Sequence, residues 1–135
     1  MFEKTIKIGE KPFLMRASAL FKTQYMVYFD KIIELELKRI SELMSKLVNY
    51  ELKEETDLKE LKQSEQKEFL SISQDIANSA GEIAWIMIKC GDKNFTMDFE
   101  SFENTITDYD WIMEVIALAG ATFCGWEIPL QNIKL

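Results

Sequence analysis

Thr5-Ile6-Lys7-Ile8 alternates polar and apolar side chains with period two, and an extended pattern resumes at Phe13-Leu14-Met15-Arg16-Ala17 after Gly9-Glu10-Lys11-Pro12. Such alternation half-buries a strand, and Gly and Pro between two runs mark a turn, so residues 1–17 read as a β-hairpin. At Ser18, a residue suited to a helix N-cap, the period changes to 3.6. Tyr25, Phe29, Ile32/Ile33, Ile40, Leu43/Met44 and Leu47 then share one stripe, which predicts an amphipathic helix over residues 18–50. No Gly or Pro interrupts it. A straight rod of that length would run roughly 50 Å at 1.5 Å per residue, against a radius of gyration of about 14 Å for a domain of this size. The expectation is a long, mostly continuous first helix whose far end packs on a neighbour or frays.

The pattern breaks at Glu51. Eleven of the 18 residues from Glu51 to Glu68 are charged, and their only apolar side chains are Leu52, Leu58 and Leu61. Too little apolar surface is present to fix this stretch in a core, so residues 51–68 are expected to form a charged linker or loop. Helical periodicity returns at Phe69, Ile72, Ile76, Ala80, Ile83, Met87 and Cys90, and Trp85, Ile86 and Ile88 widen the stripe toward burial on more than one side. Gly81 inside this helix points to close packing, and Gly91 suits its C-cap. Thr96 is placed to cap a short helix with Phe99 and Phe102 facing inward, and Thr107-Asp108-Tyr109-Asp110 has the spacing of a capping box for a last helix. Residues 69–123 thus read as a helical core and 124–135 as a tail. The fold class is mainly α with a small N-terminal β-hairpin, one domain across residues 1–135.

Composition narrows the chemistry more than the fold. The 135 residues are 47% hydrophobic and 29% charged, with room for a single core. Histidine is absent altogether, which removes His-based triads, His-containing zinc sites and the usual neutral-pH base. Cys90 and Cys124 are 34 positions apart, without metal or redox spacing, and read as reduced structural thiols. No apolar run spans a bilayer, and no signal region follows Met1-Phe2-Glu3-Lys4, so neither membrane insertion nor secretion is expected. The net charge of −7 argues against nucleic-acid binding, which needs a concentrated basic face. That charge is uneven: residues 1–50 hold nine Lys/Arg against six Asp/Glu, and residues 92–135 hold two against eight. Either the faces are separately solvated, or a basic face of one subunit meets an acidic face of another.

Each candidate site has a structural explanation beside it. Trp85, Trp111, Tyr25 and Phe29 lie at helical spacing on apolar stripes, where aromatic rings fill cores. Asp108 and Asp110 fit the positive end of a helix. Asp98, Glu100 and Glu103 lack the order and glycine of a calcium loop. Neither cysteine has a sequence neighbour that would activate it. No catalytic, cofactor-binding or metal-ligating residue is assigned. The tail resists such explanations: Trp126, Ile128, Leu130, Ile133 and Leu135 are apolar where a loose end would avoid them, so the tail folds back or a partner covers it. Trp126, Ile128 and Leu130 are the candidate partner-binding residues.

Three stretches together resemble the small tail assembly chaperones of phages and prophages of Gram-positive bacteria. They are the hairpin entering Ala17-Ser18-Ala19 with Tyr25 and Phe29 on the following helix, the segment Ala84-Trp85-Ile86-Met87-Ile88-Lys89-Cys90-Gly91-Asp92, and Met97-Asp98-Phe99-Glu100-Ser101-Phe102-Glu103 followed by Asp110-Trp111-Ile112-Met113-Glu114-Val115-Ile116. The resemblance implies a non-enzymatic, self-associating helical protein of viral morphogenesis. It would bind the tape-measure protein while tail-tube subunits assemble, act in the host bacterial cytoplasm, and be missing from the mature virion. It implies no cofactor. The rival reading, from charge alone, is a small acidic regulator or inhibitor of the nucleic-acid-mimic type.

Overall fold

The computed structural model describes residues 2–49 and 62–127. Strands β1 (Phe2–Ile8) and β2 (Lys11–Ala17) form an antiparallel hairpin, with Ile6 opposite Phe13 and Ile8 opposite Lys11. Gly9 has φ +63° in the turn, where a glycine costs least. Ile6, Ile8, Phe13, Met15 and Ala17 all face the core, so the hairpin buries one face as the alternation predicts.

Five helices follow among the described residues: α1 (Ala19–Phe29), α2 (Ile33–Val48), α3 (Gln63–Gly91), α4 (Phe99–Thr105) and α5 (Ile112–Phe123). The molecule is mainly α with a small hairpin. Helix α3 is its axis. β2, α1, α2, α4 and α5 all pack on it, and Ile83, Ala84, Ile86, Met87 and Ile88 are completely buried, consistent with the wide apolar stripe. Its last residue, Gly91, lies so close to the Leu14 carbonyl of β2 that a Cβ there would collide with it. Gly91 therefore ends the helix by letting the hairpin approach, and Asp92, in extended conformation, is the C-cap. Gly81 is different: a Cβ there would meet nothing within 4 Å, so the close packing expected at that position does not occur.

The long first helix is not continuous. Asp30 takes the left-handed conformation (φ 55°), donates its N–H to the Met26 carbonyl at 2.9 Å and closes α1. Two short helices can each lay a stripe on α3, where a straight rod would carry one of them away. α1 buries Phe21 and Tyr25, and α2 buries Ile33, Leu37 and Ile40. Lys31, at the break, reaches Glu82 of α3 at 2.7 Å. Ile32, expected on the stripe, is exposed and serves as the N-cap position of α2.

Helix starts also differ from expectation. α3 begins at Gln63, so the last residues of the presumed charged linker are helical. Residues 51–61 of that linker lie outside the described residues. Asp98, and not Thr96, caps α4 by accepting the Ser101 N–H at 2.7 Å. The capping box at 107–110 does not form, because α5 begins later, at Ile112, after the Trp111 indole N–H is taken by the Asp108 carbonyl at 2.8 Å. Ser18 occupies the N-cap of α1 without a side-chain hydrogen bond.

Candidate functional site

Among the described residues, a buried polar cluster and an open apolar groove stand out from the packed core. The cluster joins α1, α2 and α3. The Glu36 carboxylate, 7% exposed, accepts two hydrogen bonds from the Arg39 guanidinium at 2.8 Å each, accepts the Ser79 hydroxyl, and lies 3.6 Å from Lys31 Nζ. Arg39 turns its other edge to Asp75 at 2.8 and 3.0 Å. The fork of Arg39 thus bridges α2 to α3, and Lys31 bridges the α1–α2 break to the same helix. These bidentate, charge-assisted bonds hold Glu36 down to about 2, with Ser79 and Lys31 adding to the pull of Arg39 against the cost of burial. Tyr25 is buried beside this cluster, and its hydroxyl makes no hydrogen bond of full geometry. Burial, reinforced by the Glu36 and Glu82 charges, pushes its phenol far upward, so it remains protonated. Its charges are compensated within the cluster. It fastens α2 to α3, with Tyr25 of α1 packed beside it.

The groove lies along the first half of α3, overlapping in sequence with the cluster at Asp75. Leu47 from the end of α2, Leu70, Ser73, Gln74, Ile76 and Ala77 from the first half of α3, and Tyr109 and Ile112 from the entry to α5 line an open cavity of about 310 Å³ whose exposed surface is mostly apolar. Leu70 and Tyr109 are more than half exposed, as is Met113 one turn beyond Tyr109. α1 adds a second apolar surface. Phe21 and Tyr25 face the core, yet Leu20 and Val27 on its far side are 55% and 75% exposed. The polar residues of α1, Lys22, Thr23 and Gln24, leave this apolar surface divided.

The aromatic residues weighed as possible pocket walls are core residues. Tyr25 and Trp111 are buried, and Trp85 meets Tyr28, Phe29 and Phe99 at ring-centre distances of 5.0, 6.0 and 5.6 Å. Among the described residues no group of His, Cys, Asp and Glu could hold a metal ion. Cys90 and Cys124 are free thiols, and burial pushes both upward, away from the reactive thiolate. Of the three tail residues, Trp126 folds back. Its N–H donates to the Gly120 carbonyl at 3.1 Å, and its indole lies flat enough on Gly120 that a Cβ there would strike the ring. Ile128 and Leu130 lie outside the described residues. Gly120→Ala is accordingly expected to expel Trp126, shifting tryptophan emission to the red with a cost of about 1–2 kcal/mol for overpacking. Unchanged emission would show that the indole is not seated there.

Sequence reasoning did not find the polar cluster, although α3 carries its signal. Asp75, Ser79 and Glu82 recur at helical spacing beside the apolar stripe, which marks a face that needs polar partners. No helix of the described residues is long and apolar enough to cross a membrane. Comparison with protein-family models, with curated proteins and with solved structures finds no match.

Proposed function

We propose that this chain is a non-enzymatic binding protein, a phage tail assembly chaperone that covers apolar helical faces of the tape-measure protein during tail morphogenesis. The observation that carries the reading is the apolar groove of α2, α3 and α5, open among the described residues. The exposed outer face of α1 adds to it. Surfaces of this kind recognise amphipathic helices through a few apolar anchors and need no reacting groups. The resemblance in the hairpin, the end of α3 and the α4–α5 region supplies the name of the partner. In this reading the protein works in the bacterial host cytoplasm, self-associates, acts next to the tail-tube protein, and requires neither nucleic acid, membrane nor cofactor.

A second reading, an acidic regulator presenting carboxylates to a nucleic-acid-binding protein, draws on the exposed Glu100, Glu103, Asp110 and Glu114. Part of that acidity already has local partners, Ser101 for Asp98 and Lys4 for Glu114 at 3.3 Å. Mixing the purified protein with tape-measure fragments and, separately, with DNA-binding proteins separates the two. Co-elution with the fragments alone, persisting at high salt, is expected of the chaperone. Co-elution with the DNA-binding proteins alone, abolished by salt, would establish the regulator instead.

A further inference from the structure

We infer that the outer edge of β1 is a self-association surface, on which β1 of a second copy of this chain pairs antiparallel about Thr5. The inference rests on the reading of the chain as a self-associating protein, and gives that association a surface and a register.

A two-stranded sheet has two edges, and α3 closes one of them. Which backbone groups point outward follows from the hairpin. Its two-residue turn makes Ile8 and Lys11 a hydrogen-bonded pair, so the alternate pairs Lys7–Pro12, Thr5–Leu14 and Glu3–Arg16 turn their N–H and C=O groups away from each other. Pro12, with no N–H to offer, sits at such a position. On β2 the outward Leu14 carbonyl faces Gly91 at the end of α3, close enough that a Cβ there would strike it. On β1, among the described residues, Glu3, Thr5 and Lys7 make no backbone hydrogen bond outside the hairpin. α5 meets β1 on the face of buried Ile6 and Ile8, where Lys4 reaches Glu114 at 3.3 Å.

An open row of this kind accepts a further strand unless proline, a bulge or charge forbids it. β1 contains neither proline nor glycine, and its charges select a partner. Glu3, Thr5 and Lys7 are all exposed on the solvent face. When β1 meets its own copy antiparallel about Thr5, Glu3 falls opposite Lys7 of the second copy, Lys7 opposite its Glu3, and Thr5 opposite Thr5. Opposite charges and paired threonines are both favourable across strands. Each of these pairs exchanges two backbone hydrogen bonds, about six in all. Glu3 already accepts Arg16 through Oε1 at 3.0 Å in its own hairpin, and a carboxylate has room for a second cation. On the other face Phe2, 48% exposed, comes opposite Ile8 of the second copy. The contact is two-fold symmetric and closes at a dimer. One strand pair is a small interface, so that dimer is weak and reversible.

Sedimentation of the full chain from low to high micromolar concentration is expected to show a reversible monomer–dimer equilibrium. Thr5→Pro removes an outward N–H and spares the hairpin ladder, so it should weaken the dimer at least about tenfold with the circular dichroism melt little changed. Lys7→Glu and Glu3→Lys each set like charges opposite one another, and each should be monomeric. Mixed together they should form a dimer again, because one chain then carries acids at both positions and the other bases at both. A wild type that stays monomeric at every concentration would overturn the inference. So would a dimer that keeps its strength in either charge variant, or two folded charge variants that fail to pair on mixing, whatever Thr5→Pro does to folding. Tape-measure fragments that co-elute with a strictly monomeric wild type would overturn this inference and leave the chaperone reading standing. Charge-swapped pairing without co-elution would uphold the edge contact and remove that reading.

Discussion

Trp85→Ala is expected to destabilise the protein by about 3–5 kcal/mol, the range for losing a large aromatic from a packed core. The indole is 4% exposed and makes edge contacts with Tyr28 and Phe29 of α1 and with Phe99 of α4. Its Nε1–H donates to the Met97 carbonyl at 2.9 Å, pinning the segment before α4 to α3, and Lys89 lies 4.9 Å above its ring. Removing it therefore opens a cavity, orphans a carbonyl and unties three elements together. For a chain of this size the loss corresponds to a fall of roughly 10–20 °C in melting temperature. Against a typical total of about 5–15 kcal/mol, the variant would be close to the threshold of folding. A scanning-calorimetry melt within a degree or two of wild type would show that α3 does not carry the core at this point. Trp85→Phe, which keeps the ring and loses the hydrogen bond, should fall between the two.

The segments that could be read from sequence are those whose pattern is local. The hairpin follows from alternation at residues 5–8 and 13–17 with a turn between. The burial of Ile83, Met87 and Trp85 follows from steps of three and four along α3. The break at Asp30 could not be read, since nothing in residues 18–50 favours a turn there. It is imposed by contacts distant in sequence, such as Lys31 with Glu82 and the stripes of α1 and α2 both seeking α3. Caps failed for a similar reason: several residues near each helix start could serve, and packing of Trp111 and Phe102 chose among them. The groove is a property of three element ends meeting. Tyr109 and Ile112 were legible as part of a helix entry, but the space beside them depends on where α2 stops and α3 begins.

The same packing makes Glu36 the group through which acid should act most strongly. Its carboxyl is held near 2 in the folded chain, against an ordinary value of 4.5, first by the Arg39 fork and then by Ser79 and Lys31. Folded protein therefore binds this proton less readily than unfolded protein does. The stabilisation is fully present above the ordinary carboxyl range and is lost as pH falls from about 4.5 toward 2. At about 1.4 kcal/mol for each pH unit between the two values, the loss is on the order of 3 kcal/mol. Asp75 and Glu82 on α3, Tyr25 on α1 and Arg39 and Lys31 complete the charged and titratable surroundings. Protonating Glu36 leaves Arg39 to Asp75 and Lys31 to Glu82, so the helices lose their shared anchor without losing every bridge. Glu34 and Asp98 are also held below the usual carboxylate range, by Lys22 and by the Ser101 amide, but both are exposed and screened. Subtracting a Glu36→Gln variant from wild type isolates the buried group. Urea melts between pH 7 and pH 2.5 should show wild type falling steeply below pH 4.5. The variant should start about 3 kcal/mol lower at pH 7 and fall far less, the two curves converging at the acid end. Parallel curves, separated equally at pH 7 and pH 2.5, would mean that Glu36 supports the helix crossing by shape and hydrogen bonding, with no contribution from its charge.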